Sequence, residues 1–389
     1  MTDFSFSTAG RIIFGAGAAG GVAAKAAQLG GCAMLVTGSQ PERNAALAED
    51  LKRAGVAVHG FTIDREPDID GVAKGAEEAR RRQCDLVIGI GGGSVLDSAK
   101  AIAALIPNRR PIIDYLEVIG RAMPLEHPPA PCIAIPTTSG TGSEVTRNAV
   151  IRSPRHRVKV SLRHPEMLPD LAVVDPALTL TLPPETTAAT GFDALAQLLE
   201  TFVSIKANPL TDGLCREGLV RCARALKTAF HHGADLAART EMAIASLFSG
   251  LALANAGLGA VHGIAGPLGG MVDAPHGAVC ACLLPAVAAA NIKALEAADR
   301  PGSYLLRYQE AARLLTGDSE ASPRDGVEWL RSAARELQIP ALSHWGLTEA
   351  DVAELAGHAL RASSMKGNPV ALAKASLTAI IAQALKGVV

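Results

Sequence analysis

Two stretches of the sequence carry residue types at a spacing that suits chemistry on a phosphate. Leu86-Val87-Ile88-Gly89-Ile90-Gly91-Gly92-Gly93-Ser94 is an apolar run ending in glycines, and the helical pattern Val95 to Leu105 follows it. Glycine lets the backbone approach a diphosphate closely, and the next helix offers unpaired N–H groups and its positive dipole end to the anion. A plain strand-to-helix turn is the alternative, although such a turn rarely needs three successive glycines. The run is not the G-x-G-x-x-G fingerprint, and it lies on a later strand than that motif would occupy. The second stretch, Pro136-Thr137-Thr138-Ser139-Gly140-Thr141-Gly142-Ser143-Glu144, follows another apolar run with hydroxyls and glycines. Its donors suit phosphate and ribose oxygens, and an ordinary polar loop would read the same way. Two such loops at successive strand ends would face one crevice, the usual ligand position in an open parallel sheet.

The elements that must position these loops alternate. Short β-branched runs (Ala33 to Thr37, Val56 to Phe61, Leu86 to Ile90, Cys132 to Pro136) are separated by amphipathic stretches, Glu42 to Ala54 and Ile69 to Gln83. This βαβα order predicts a parallel sheet flanked by crossover helices. After Pro183-Pro184 the β-branched runs become rare, and apolar residues recur at three and four, so the second half reads as all helical. The expected boundary divides residues 1–183, an α/β domain, from residues 184–389, a helical domain.

The bulk composition removes several partner classes. With 37 Lys and Arg against 38 Asp and Glu, the formal charge of -1 gives no long-range attraction for nucleic acid or an anionic membrane. The basic cluster Arg80-Arg81-Arg82 follows Glu77 and Glu78 and is expected to pair with them on a solvated helix face. The seven cysteines (Cys32, Cys84, Cys132, Cys215, Cys222, Cys280, Cys282) include no CxxC pair, and several sit in apolar runs as small core residues. No signal-peptide pattern opens the chain, and the apolar segments read as too broken to span a bilayer. A reducing cytoplasm is the expectation.

GGGSVLDSAK (Gly91 to Lys100), PTTSGTGSEVT (Pro136 to Thr146), GFDALAQLLETFVS (Gly191 to Ser204) and GLGAVHGIAGPLGGMVDAPHG (Gly257 to Gly277) resemble, in order and spacing, the motifs of the iron-containing (group III) alcohol dehydrogenases. The likeness covers most of the chain and extends to the maleylacetate reductases. It implies the dehydroquinate synthase-like fold: a dinucleotide-binding α/β domain with a parallel sheet, then an all-α domain for metal and substrate. By the same likeness Gly92, Gly93 and Ser94 would hold a pyrophosphate, and Thr137, Thr138 and Ser143 would contact phosphate, ribose or nicotinamide. Lys159 matches a lysine near the nicotinamide ribose, and Leu178 lies where members contact adenosine. A lone Lys is otherwise a solvated charge and a lone Leu otherwise core. NAD-preferring members often carry an Asp after the second strand, whereas Val36-Thr37-Gly38-Ser39-Gln40 has none and Arg43 is close by. Gly38 counts with the cofactor-binding residues, and the missing acid leaves room for NADP beside NAD.

The resemblance also maps Asp193, Gln197, His262 and His276 onto four metal-binding positions, for iron or zinc. Asp193 and Gln197 are four apart on a helical pattern and point the same way. Typical members have histidine where this chain has Gln197, and a neutral amide oxygen binds a divalent metal more weakly than imidazole. Asp193 and the two histidines can still form a two-His-one-carboxylate site, with Gln197 weakly bound or outside it. Satisfied buried polar residues without an ion are the alternative. Gly266 stands where many members carry a second histidine that relays a proton, and it should leave space beside His262. Lys366, in Ser363-Ser364-Met365-Lys366-Gly367-Asn368-Pro369, is the candidate replacement, as a proton donor with lowered pKa or a clamp for a substrate anion. A surface lysine is the other reading.

The expected activity is hydride transfer between a nicotinamide and a small alcohol or aldehyde, with a metal polarising the substrate oxygen. A metal-independent keto-acid reductase and a non-catalytic nucleotide-binding relative are the alternatives. The resemblance suggests a homodimer or larger homo-oligomer.

Overall fold

The computed structural model describes residues 3–298 and 302–388. The chain divides into two compact units: 7–138 with 142–179, and 180 onward together with Ser139–Thr141 and the N-terminal residues to Phe6.

The first unit runs β1 (Arg11–Phe14), α1 (Val22–Leu29), β2 (Cys32–Thr37), α2 (Ala45–Arg53), β3 (Ala57–Thr62), α3 (Ile69–Arg81), β4 (Leu86–Gly91), α4 (Gly93–Leu105), α5 (Ile112–Tyr115), β5 (Cys132–Pro136), β6 (Asn148–Ser153), β7 (Val158–Arg163) and β8 (Leu171–Val174). Six strands form a parallel sheet in the order β1-β8-β5-β4-β2-β3. Its central strands are near-continuous apolar runs because helices cover both faces. Successive side chains alternate between the faces: Met34, Val36 and Val87 join one core, Leu35, Ile88 and Ile133 the other. The expected crossover helices form, and Arg82 pairs with Glu78 at 2.9 Å on the exposed face of α3.

An antiparallel hairpin, β6 with β7, lies outside the parallel sheet. Its alternation buries Ala149, Ile151, Val160 and Leu162 in the core beside α4, and Arg157 in its turn adopts φ 52. The βαβα expectation had no place for it.

The second unit contains α6 (Pro184–Phe202), α7 (Pro209–His231), α8 (Leu236–Ala256), α9 (Ala260–Met271), α10 (His276–Glu296), α11 (Gly302–Thr316), α12 (Pro323–Glu336), α13 (Val352–Arg361) and α14 (Lys374–Leu385). Proline at N1 starts α6 and α7, and a capping box between Asn208 and Thr211 closes the first turn of α7. Phe192 and Phe202 of α6 are fully buried in one large core, each contributing about 2–3 kcal/mol.

The expectation that no apolar segment could span a bilayer is corrected. By length and composition α8 and α10 are long and apolar enough, at 21 residues each, and most of both is buried inside the fold. Local sequence does not separate a core helix from a membrane span when packing surrounds it on all sides.

Candidate functional site

The helical unit brings four donor side chains together. Asp193 of α6, His262 of α9, and His276 and Cys280 of α10 place one ligand atom each within 4.8 Å of all the others. His262 Nε2 is 3.3 Å and His276 Nε2 3.8 Å from Asp193 Oδ1. Cys280 Sγ is 3.7 Å from His262 Nε2 and 3.6 Å from His276 Nε2. His276 and Cys280 are four apart in the first turns of α10, so they share a face.

Close helix packing makes this convergence possible. A Cβ on Gly277 would lie 2.1 Å from the Ala189 carbonyl oxygen and 3.2 Å from Asp193 Cβ. Only glycine lets α10 cross α6 closely enough for His276 to meet Asp193.

Glu200, one helical repeat beyond Asp193 on α6, fixes the orientation of His262. Its Oε2 lies 2.5 Å from His262 Nδ1, and its Oε1 accepts the Val261 N–H at 2.6 Å. The carboxylate thus caps the positive end of α9 and accepts the Nδ1 proton, which leaves Nε2 to face the cluster. Asn368 fixes the same helix start. Its Oδ1 accepts from Ala260 N at 3.1 Å, and its amide group exchanges hydrogen bonds with Asn291. The Gly367-Asn368-Pro369 segment is therefore a clamp on the helix that carries His262.

The protonation shifts describe a pocket that holds negative donors and draws positive charge to them. Burial alone would raise Asp193, but the hydrogen bond from His262 and the charge of His276 outweigh it and hold the carboxyl low. Burial would lower both imidazoles. Cys280 and Glu200 reverse this for His262, which lies well above its ordinary value, and Cys280 and Asp193 raise His276. Burial would raise the Cys280 thiol, but His276 and His262 hold it below its usual range. Carboxylate, imidazole and thiolate donors, three of them buried and His276 partly exposed, converge in a set that fits a divalent cation, which would replace the shared protons.

Gln197 is buried in α6, and its Oε1 lies 2.7 Å from the Ser249 hydroxyl. Lys366 is exposed, in the short helical turn Ser363–Gly367. A Cβ on Gly266 would meet nothing within 4 Å.

In the α/β unit, Gly92 caps α4, and helix geometry leaves the Gly93 and Ser94 N–H groups without intrahelical acceptors. The glycine run also serves packing: a Cβ on Gly91 would lie 2.6 Å from Val95. The Thr138 side chain is 3.5 Å from a Cβ built on Gly92. The Ser143 hydroxyl, 2.5 Å from Asp97 Oδ1, donates to that carboxylate. Lys100, fully buried, bonds Ser143 O and Thr146 Oγ1, both at 2.9 Å, and lies 3.1 Å from Asp97. Asp97 and Lys100 were not singled out from the sequence, though a charged pair inside an apolar helix is a visible signal. They hold the second loop against α4. Ser139, which groups with the helical unit, has a buried Oγ with no hydrogen-bond partner among the described residues. Gly38 follows β2 with ordinary space around it, Lys159 pairs with Glu66 at 3.2 Å, and Leu178 is half-buried against the core.

Comparison with known proteins agrees over both units. Residues 9–176 match the family of iron-containing alcohol dehydrogenases, and residues 187–385 match the C-terminal domain of the Fe-containing alcohol dehydrogenase family. Alcohol dehydrogenase 4 of Saccharomyces cerevisiae is 36% identical over 330 residues, covering 85% of this chain and 83% of that one. Long-chain-alcohol dehydrogenase 1 of Geobacillus thermodenitrificans is 37% identical over 348 residues, covering 87% and 85%. A crystal structure of 1,3-propanediol oxidoreductase superposes with a TM-score of 0.90 at 32% identity, covering 98% of this chain and 100% of that one. Sulfoacetaldehyde reductase from Bifidobacterium kashiwanohense, solved with NAD+, gives a TM-score of 0.85 at 28% identity, with 99% of each chain covered. On these matches the chain belongs to the iron-containing alcohol dehydrogenase family and is a metal-dependent alcohol oxidoreductase.

Proposed function

We propose that the chain catalyses reversible, nicotinamide-dependent interconversion of a small alcohol and its aldehyde, with Asp193, His262 and His276 as ligands of an essential divalent metal. The observation that carries the reading is the convergence of those three donors, with Glu200 fixing the His262 tautomer. When bound, the dinucleotide exchanges hydride with the substrate carbon and the metal polarises the substrate oxygen.

The chain's own residues then do the positioning. The Gly93 and Ser94 N–H groups at the start of α4 are donors for a pyrophosphate. Thr137 and Thr138 supply hydroxyls beside them, and the Ser143 oxygen, its proton given to Asp97, remains an acceptor. The orphaned Ser139 hydroxyl offers a further donor for a ligand. Gly38, Lys159 and Leu178 complete the proposed contacts to the adenosine and ribose portions. With no acid in Gly38-Ser39-Gln40 at the end of β2 and Arg43 exposed nearby, the chain accepts NADP as well as NAD. Exposed Lys366 serves as a clamp for a substrate anion rather than as a desolvated acid. The seven free thiols suit a reducing cytoplasm, and the working form is a homo-oligomer.

Aldehyde reduction is to be followed with NADH and NADPH before and after chelation under anaerobic conditions. Loss of turnover on chelation and its return with zinc or ferrous ion is the expected result. Turnover untouched by complete metal removal would overturn the metal assignment.

A further inference from the structure

The donor set contains one side chain that the proposed function does not use. Cys280 Sγ stands 3.7 and 3.6 Å from the Nε2 atoms of His262 and His276. Its side chain is buried in the first turns of α10, on the face that carries His276. Gln197 shares the cluster-facing side of α6 with Asp193, but it is a neutral amide whose oxygen is engaged by the Ser249 hydroxyl.

We infer that Cys280 is the fourth protein ligand of the metal, as a thiolate, and that the resulting Asp193-His262-His276-Cys280 set makes this a zinc-selective centre. The inference rests on the metal reading above and adds to it both a ligand and the identity of the ion. Tetrahedral zinc with nitrogen and oxygen donors at about 2.0–2.1 Å and sulfur at about 2.3 Å requires donor–donor edges of about 3.4 Å for oxygen–nitrogen and about 3.6 Å for nitrogen–sulfur. The corresponding edges here are 3.3 and 3.8 Å from Asp193 to the imidazoles, and 3.7 and 3.6 Å from Cys280. Four of the six donor–donor edges thus already stand near tetrahedral spacing, and all four donors lie within 4.8 Å of one another. A soft thiolate in a small N/O/S tetrahedron favours zinc over a hard six-coordinate ion, and its charge compensates for a neutral Gln197. Zinc accepts a fifth donor, so four protein ligands do not close the site to substrate.

Cobalt(II) substitution of the intact protein provides a readout independent of turnover. The wild type should take up one equivalent and show a thiolate-to-cobalt charge-transfer band in the near ultraviolet. Cys280→Ala should lose that band and bind zinc more weakly by about 100-fold or more, beyond the loss of an outer-shell partner. Circular dichroism verifies that the variant is folded. The double variant Gln197→His with Cys280→Ala restores a fourth donor from α6. It should regain metal without the band, with a zinc-to-iron affinity ratio at least about tenfold below the wild type's.

Cobalt uptake without the band, together with Cys280→Ala retaining wild-type zinc affinity, would overturn the ligand assignment and leave the metal-assisted function standing. A wild-type protein that takes up no metal at all would overturn both.

Discussion

At the scale of single residues, the contact between Glu200 and His262 carries the most consequence. A carboxylate oxygen can only accept, so the Nδ1 proton belongs to His262 and Nε2 is the nitrogen a metal would take, displacing the proton it shares with Asp193. Glu200→Gln keeps the size and removes the charge. Zinc affinity is expected to fall by about 10–100-fold, read by competition with a chromophoric chelator; an unchanged affinity would show that Glu200 only caps α9. A second test concerns the cofactor. Ser39→Asp places a carboxylate after β2 and is expected to reduce kcat/KM with NADPH by about tenfold or more while sparing NADH, since like charge repels a 2′-phosphate. Equal effects on both cofactors would place the adenosine end elsewhere.

Much of this residue-scale picture was legible in the sequence, and the reason the remainder was not is physical. Asp193, His262 and His276 were each identifiable from motif wording, and the structure brings all three together. Cys280 and Glu200 stand four and seven residues from two of them at helical spacing, so the signal was present. It went unread because cysteine in an apolar run is usually core, and because a carboxylate reaching another helix is decided by packing. Asp97 and Lys100 were missed similarly, as their partners lie more than 40 positions away in the second loop.

At the scale of elements, the cluster depends on how closely α10 crosses α6. Gly277→Ala introduces a Cβ that would lie 2.1 Å from the Ala189 carbonyl. The helices must separate, at a cost of about 3 kcal/mol, and His276 moves from Asp193, so stability and metal affinity should fall together. Gly266→Ala is the matched control in α9, where the new methyl meets nothing within 4 Å. Helix propensity alone predicts a gain of about 0.5–1 kcal/mol. Urea unfolding of the two variants measures both, and equal effects would contradict the close-approach account. Hydrophobic periodicity sufficed for the alternating first half and the helical second half, because each pattern extends over many residues. It did not reveal hairpin β6–β7, whose short strands bury one face within an otherwise parallel design.

At the scale of the whole molecule, one buried acid outside the donor cluster adds its own dependence of stability on pH. Burial pushes the Glu144 carboxyl up to about 7 from an ordinary 4.5, against partial relief from backbone hydrogen bonding and Lys100. Below about 4.5 both folded and unfolded states are protonated there, so the group has no effect. Between about 4.5 and 7 the unfolded chain ionises first, and stability is lost as pH rises. Above 7 the loss is complete, about 3 kcal/mol at most. Glu144→Gln should remove this dependence, so its Tm should gain on the wild type between pH 5 and pH 8. Parallel Tm curves would show that Glu144 ionises freely in the folded chain.

The proposed chemistry requires a metal held by the helical unit in a chain that also binds a nicotinamide dinucleotide. Diffraction from crystals grown with the dinucleotide, recorded at the zinc and iron absorption edges, tests this most directly. An anomalous peak among the donor atoms of Asp193, His262 and His276 is the predicted result. Ordered dinucleotide with no anomalous density at those atoms, in crystals whose dissolved protein still turns over, would contradict it.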